Sequence, residues 1–181
     1  MNSNMVSLSP IHPNELDVAA QLYESAFPPI ERRDTILWKM LGQEEPLFHL
    51  DAIRDSNGLW VGFISYWTFS DFVYVEHFAI EPTCRGNNMG GNAVDALLNE
   101  AAVPIVLEVE LPTDSLSRRR IAFYQKHGLS LIEKDYMQPP YREGFKWLPL
   151  YIMCSNADFA HTHFAHIVDT LRKQVYGVKS K

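Results

Sequence analysis

Residues 78–98, FAIEPTCRGNNMGGNAVDALL, constrain this chain more than any other stretch. An apolar run ends at Pro82, a turn rich in Gly and Asn follows, and Ala93, Val94, Leu97, Leu98 and Ala101 then repeat at helical spacing. VPIVLEVEL (103–111) reads as strand again. Strand, helix and strand in that order require a crossover, which implies a parallel pair. A glycine-rich turn that opens a helix leaves unpaired N–H groups at the positive end of the helix dipole, a setting that favours phosphate or pyrophosphate. Gly86, Gly90 and Gly91 remove side chains that would block close approach, and Asn tolerates left-handed backbone. Alone, the same pattern also fits a plain helix start.

The rest of the chain frames this unit. MVSLSPI (5–11) reads as a first strand, and Pro13–Phe27 carries Leu16, Ala19, Leu22 and Ala26 at helical spacing. PPIERRDTILWKML predicts a second short helix. LFHLDAIRD (47–55), LWVGFISYWTF (59–69) and FVYVEHFAI (72–80) read as strands, the first two joined by a hairpin at Ser56-Asn57-Gly58. SLSRRRIAFYQKHG (115–128) predicts a helix stopped by Gly128, LSLIEKDYM and FKWLPLYIMC two more strands, and ADFAHTHFAHIVDTLRKQVYG a closing helix over about 157–176. In that helix Phe164, Ile167, Val168, Leu171 and Val175 are expected inward. The order predicts an α/β (α+β) fold: a mixed, mostly antiparallel sheet of about six to seven strands flanked by helices, in one domain over 1–181.

The chain has 181 residues, 46% of them hydrophobic, enough to bury a core, and its formal net charge of −6 argues against a nucleic-acid surface. Arg118-Arg119-Arg120 reads as a solvated helix face. Cys84 and Cys154 stand far apart in no ligand spacing, which suits a reducing compartment. The N-terminal stretch lacks a signal-peptide pattern and no apolar run reaches the ~20 residues of a membrane span. A cytoplasmic protein is expected. His161, His163 and His166 form an H-x-H-x-x-H cluster, but with no clear further ligand no metal is expected.

Arg85-x-x-Asn88-x-Gly90 resembles the Arg/Gln-x-x-Gly-x-Gly/Ala signature of the GNAT N-acetyltransferase superfamily. There the loop cradles the pyrophosphate of acetyl-CoA after an apolar strand, here Phe78-Ala79-Ile80-Glu81-Pro82. Downstream, Phe123-Tyr124 four residues before Gly128-Leu129 matches the family's helix and its following glycine pair. The resemblance covers about residues 5–154. Asn88 replaces the first signature Gly. The segment LPTDSLSRRR lacks the Asn that many members place near the pantetheine arm, with Asp114, Ser115 or Ser117 as substitutes.

The resemblance implies acetyl transfer from acetyl-CoA to a primary amine of a small molecule or peptide. Arg85, Gly86, Asn87, Asn88, Met89, Gly90 and Gly91 would hold the cofactor, and the backbone of Phe78, Ala79 and Ile80 would polarise the carbonyl. Tyr124 resembles the general acid for the thiolate; its plain reading is a helix-face aromatic. For the base, a carboxylate inside an apolar strand needs a reason. Alternation places Glu76 with Tyr74 and Phe78, opposite His77, and makes Glu76 the first choice, with a salt-bridged strand residue as the other reading. Alternation also puts Glu108 and Glu110 on one face. Some family members use a Glu at the position resembling Glu108, the second choice. Glu31 and Glu110 complete an expected acidic cleft for a cationic amine, and an exposed sheet edge or the last helix offers a homodimer contact. Two rivals stand beside this: a GNAT-fold acyl-CoA binder without efficient transfer, and a partner-binding α/β domain.

Overall fold

A computed structural model describes residues 5–178. The chain forms two compact units, Met1–Val103 and Pro104–Lys181.

The first unit runs β1 (Ser7–Pro10), α1 (Leu16–Ala26), α2 (Thr35–Glu44), β2 (Phe48–Arg54), β3 (Trp60–Thr68), β4 (Val73–Ile80) and α3 (Met89–Glu100). Its four strands pair antiparallel in chain order. The β2–β3 hairpin forms where predicted. Asp55 Oδ1 accepts from the N–H groups of Asn57 and Leu59, each at 2.9 Å, and Gly58 takes φ +77°. The core forms where apolar faces of α1, α2 and β3 meet. Tyr23 stacks on Trp38 at 4.3 Å and meets Phe63 edge-on at 6.0 Å, all three fully buried.

The helix expected after the Pro28-Pro29 break begins only at Thr35. Asp34 Oδ1 caps it by accepting from Ile36 N and Leu37 N, so first-turn donors are satisfied there and not earlier. Upstream, Pro29–Glu31 makes a single 3₁₀ turn.

The second unit runs β5 (Ile105–Glu110), α4 (Ser115–Lys126), β6 (Ser130–Gln138), β7 (Leu148–Cys154) and α5 (Ala157–Thr170), and closes with a π-type turn over Leu171–Val175. Strand β7 lies between β5 and β6, antiparallel to both. Gly128 ends α4 with φ +86°, a conformation in which a side chain would be strained. In the closing segment Ile167, Leu171 and Val175 are buried as expected, while Phe164 and Val168 are half-buried. The predicted single helix is interrupted twice: His163 leaves helical geometry at φ −108°, and the last turn winds as π.

Candidate active site

The glycine turn has the geometry its composition implies. After a 3₁₀ turn at Pro82–Cys84, Arg85 folds back and its Nε donates to the Ile80 carbonyl at 3.0 Å. Gly86 takes φ +92° and Asn88 takes φ +57°, the only positive φ outside glycine among the described residues. Asn88 is the N-cap residue of α3, yet its side chain makes no capping bond; it donates to Asn92 Oδ1 at 3.0 Å instead. Helices α2, α4 and α5 are capped by the side chains of Asp34, Asp114 and Asn156. Helix α3 is not. Its first-turn amides therefore lack the side-chain acceptor that those three helices have, and an anion fits their polarity.

Strand β4 departs from simple alternation. Its register with β3 runs Ser65↔His77 and then Tyr66↔Val75, which leaves Glu76 as the extra residue of a β-bulge. The expected placement of Glu76 with Phe78 and opposite His77 is corrected on this ground, because the bulge breaks the two-residue period; its place with Tyr74 stands, since Tyr74 pairs with Trp67, whose Nε1 donates to Glu76. Glu76 and His77 instead both reach the segment between α1 and α2. Arg33 Nη2 lies 2.8 Å from Glu76 Oε1, Arg33 Nε donates to the same oxygen at 3.0 Å, and Trp67 Nε1 donates to Oε2 at 2.8 Å. His77 Nε2 donates to the Glu31 carbonyl at 3.0 Å.

The Glu76 side chain is fully enclosed, and Arg33 is 15% exposed. Burial alone would raise the Glu76 pKa; the Arg33 charge, His77 and the Trp67 bond outweigh it and hold the carboxyl below its ordinary value. A carboxylate held this way is a weak proton acceptor. His77 is pushed down by burial, against the pull of Glu76, and stays neutral between the edges of Tyr23 and Phe27.

In the second unit Glu108 and Glu110 take different partners. Glu108 Oε1 accepts from the Tyr136 hydroxyl, and Oε2 accepts from Gln138 Nε2 at 2.6 Å and the Tyr176 hydroxyl at 2.7 Å. Glu110 pairs at the surface with Arg120. Tyr124 is half-buried on α4, with Phe123 edge-on at 5.1 Å. Burial, opposed by Arg120 and aided by Glu110, pushes its hydroxyl up to about 12. Of the three substitutes for the pantetheine-side Asn, Asp114 and Ser117 are engaged in the capping box of α4, and Ser115 is the first residue of that helix.

Reading the sequence alone missed Arg33, Tyr136, Gln138 and Tyr176. Polar Gln138 at the end of a predicted strand was the only local signal among them. His161, His163 and His166 are all exposed, and among the described residues no group of three or more His, Cys, Asp or Glu is placed to hold a metal ion. Among the same residues no helix is long and apolar enough to cross a membrane.

The sequence profile of the GNAT acetyltransferase family matches residues 16–129, from α1 through the glycine turn to the end of α4. The chain belongs to this family. Among solved structures it is similar to a protein from Bacteroides thetaiotaomicron assigned to the GNAT acetyltransferases, at 39% identity and TM-score 0.90, over 96% of this chain and 99% of that one. It shares the fold of a mutant of the spermidine N-acetyltransferase SpeG from Vibrio cholerae, at 10% identity and TM-score 0.65, over 89% and 98% of the two chains. It also shares the fold of Arabidopsis thaliana Naa50 in complex with the bisubstrate analogue CoA-Ac-MVNAL, at 19% identity and TM-score 0.60, over 83% and 98%. A search of curated proteins finds no significant match. The expected fold class holds: among the described residues, seven strands and flanking helices on the GNAT acyl-CoA N-acyltransferase plan. GNAT proteins use acetyl-CoA as co-substrate.

Proposed function

We propose that this GNAT protein transfers the acetyl group of acetyl-CoA to a primary amine of a small molecule or peptide by direct attack. One observation carries the reading: the N-terminus of α3 lacks a side-chain cap and follows a turn in which Gly86 and Asn88 hold positive φ. In this reading the amides of 86–91 receive the pyrophosphate, with Arg85 and Asn87 beside them, and the backbone of Phe78–Ile80 polarises the acetyl carbonyl.

The amine nitrogen attacks that carbonyl, the new N–C bond forms, and the C–S bond breaks. Tyr124 donates a proton to the departing thiolate; its raised pKa supports this, since the hydroxyl keeps its proton at neutral pH. The proton lost by the amine needs an acceptor. The enclosure and ion pair of Glu76 favour a different role for it, shaping the bulge and anchoring Arg33. We assign the base to Glu108, whose carboxylate takes the Tyr136 and Tyr176 hydroxyls and the Gln138 amide as its donors. Glu31 and Glu110 are the acidic groups proposed to attract the cationic acceptor, Glu110 in competition with Arg120.

The test is calorimetric titration with acetyl-CoA and, in parallel, with pantetheine, followed by transfer assays on spermidine and on a peptide with a free N-terminus. Micromolar acetyl-CoA binding that vanishes for pantetheine, with transfer to either acceptor, is expected. Absence of acetyl-CoA binding overturns the reading; binding without transfer leaves an acyl-CoA binder.

A further inference from the structure

The closing turn carries a side chain that the reaction outlined above does not use. Beyond Thr170 the chain winds as a π-type turn, and Tyr176 N donates to the Leu171 carbonyl at 3.0 Å. Such turns pack less regularly than α-helix and occur often at functional sites. Here Leu171 and Val175 are buried and pin the turn to the core. The result is a contact across 68 residues of chain, from the Tyr176 hydroxyl to Glu108 Oε2.

The bonding pattern fixes who donates. Gln138 Nε2 donates to the Tyr176 hydroxyl at 2.8 Å and to Glu108 Oε2 at 2.6 Å. An ionised carboxylate only accepts, so the single proton of each tyrosine hydroxyl points at Glu108: Tyr176 at Oε2 and Tyr136 at Oε1. Tyr136 and Gln138 are themselves buried on β6. A nearby cation is Arg172, on the same closing turn, whose guanidinium lies 5.6 Å from the Trp147 ring centroid. The Glu108 carboxylate is thus clamped on both oxygens by β6 and by the C-terminal turn.

The structure assigns Tyr176 as a positioning residue: through its hydroxyl, and jointly with Gln138, it sets the orientation in which Glu108 meets the acceptor amine. The assignment rests on Glu108 as the base of the proposed reaction. It makes the C-terminal turn part of the transfer apparatus, although the GNAT profile ends at residue 129.

The experiment compares full-length wild type, Tyr176→Phe, Glu108→Gln and the double variant. Tyr176→Phe is expected to lower kcat/KM for the acceptor about tenfold, since one hydrogen bond to a charged group is lost, while acetyl-CoA affinity by calorimetry stays unchanged. In the Glu108→Gln background the same substitution should cause no further fall, because the two residues act as a unit. Gln138→Met breaks the same clamp from β6 and is expected to show the same coupling. An equal fall in both backgrounds, or none in either, overturns the assignment. Unchanged transfer in Glu108→Gln removes Glu108 from the reaction and overturns the base reading along with it. A rate that depends on Glu108 but ignores Tyr176→Phe overturns the positioning role alone.

Discussion

Arg33 and Glu76 stand 43 residues apart in the chain and 2.8 Å apart in space, and they join the segment between α1 and α2 to the bulge of β4. Breaking an enclosed pair leaves one charge uncompensated, which typically costs about 3–5 kcal/mol, whereas replacing both partners by apolar groups costs far less. Arg33→Met and Glu76→Gln should each destabilise on that scale, and Arg33→Met/Glu76→Met by less than either. Urea unfolding measures this. A single-variant loss below about 1 kcal/mol would mean that the pair is not enclosed in solution.

Glu76 and its β4 neighbour His77 predict a two-step loss of stability in acid. The folded-state pKa of His77 is below its ordinary 6.5, so the unfolded chain takes up the proton first and stability falls as pH drops from about 6.5 toward the folded value. The groups facing His77 include Glu76, Arg33, the Glu31 carbonyl and Tyr23. Glu76 is held below 4.5, so the stability it contributes is present above that value and is lost as pH falls through the folded pKa. Urea midpoints between pH 8 and pH 3 should show both steps, and His77→Gln should abolish the upper one alone. A wild-type profile flat between pH 7 and pH 5 would contradict the burial of a neutral His77.

At the glycine turn, backbone conformation and space can be separated. A side chain at Gly86 would meet nothing within 4 Å, yet φ +92° is strained for any L residue. Gly86→Ala should therefore weaken acetyl-CoA binding through conformation alone. Asn88→Gly should preserve affinity, and Asn88→Ala should lose about 1 kcal/mol of loop stability with several-fold weaker binding. Calorimetry on the three variants decides it; equal affinity for Asn88→Ala and Asn88→Gly would show that φ +57° is not needed for binding.

Tyr124→Phe removes the proposed acid and keeps the ring. A fall in kcat of about 10²-fold with little change in KM is expected, the usual size of a general-acid contribution. Because the hydroxyl is pushed up to about 12, ultraviolet titration should show one more tyrosine still protonated at pH 11 in wild type than in the variant, beside Tyr23, Tyr66 and Tyr136, which burial also raises. Unchanged kcat in Tyr124→Phe would remove this residue from the reaction.

Local chemistry made much of this protein readable in its chain. The Asn-Gly hairpin, the Gly128 stop, the strand and helix order and the positive-φ turn at Gly86 and Asn88 all depend on a few adjacent residues, and all appear where predicted. The misreadings came from single residues that override a periodic pattern. Alternation along β4 assumes an unbroken register, and one unpaired residue at Glu76 shifts the phase that the pattern depends on. The late start of α2 came from one capping side chain, Asp34, that outweighed the helical spacing before it. The partners of the two candidate carboxylates were invisible for a different reason. Arg33 lies 43 residues from Glu76, and Gln138 and Tyr176 lie 30 and 68 residues from Glu108. Periodicity reports which face a side chain occupies; only the packed fold decides which distant groups meet it, and those groups determine whether a buried carboxylate is a base or half of an ion pair.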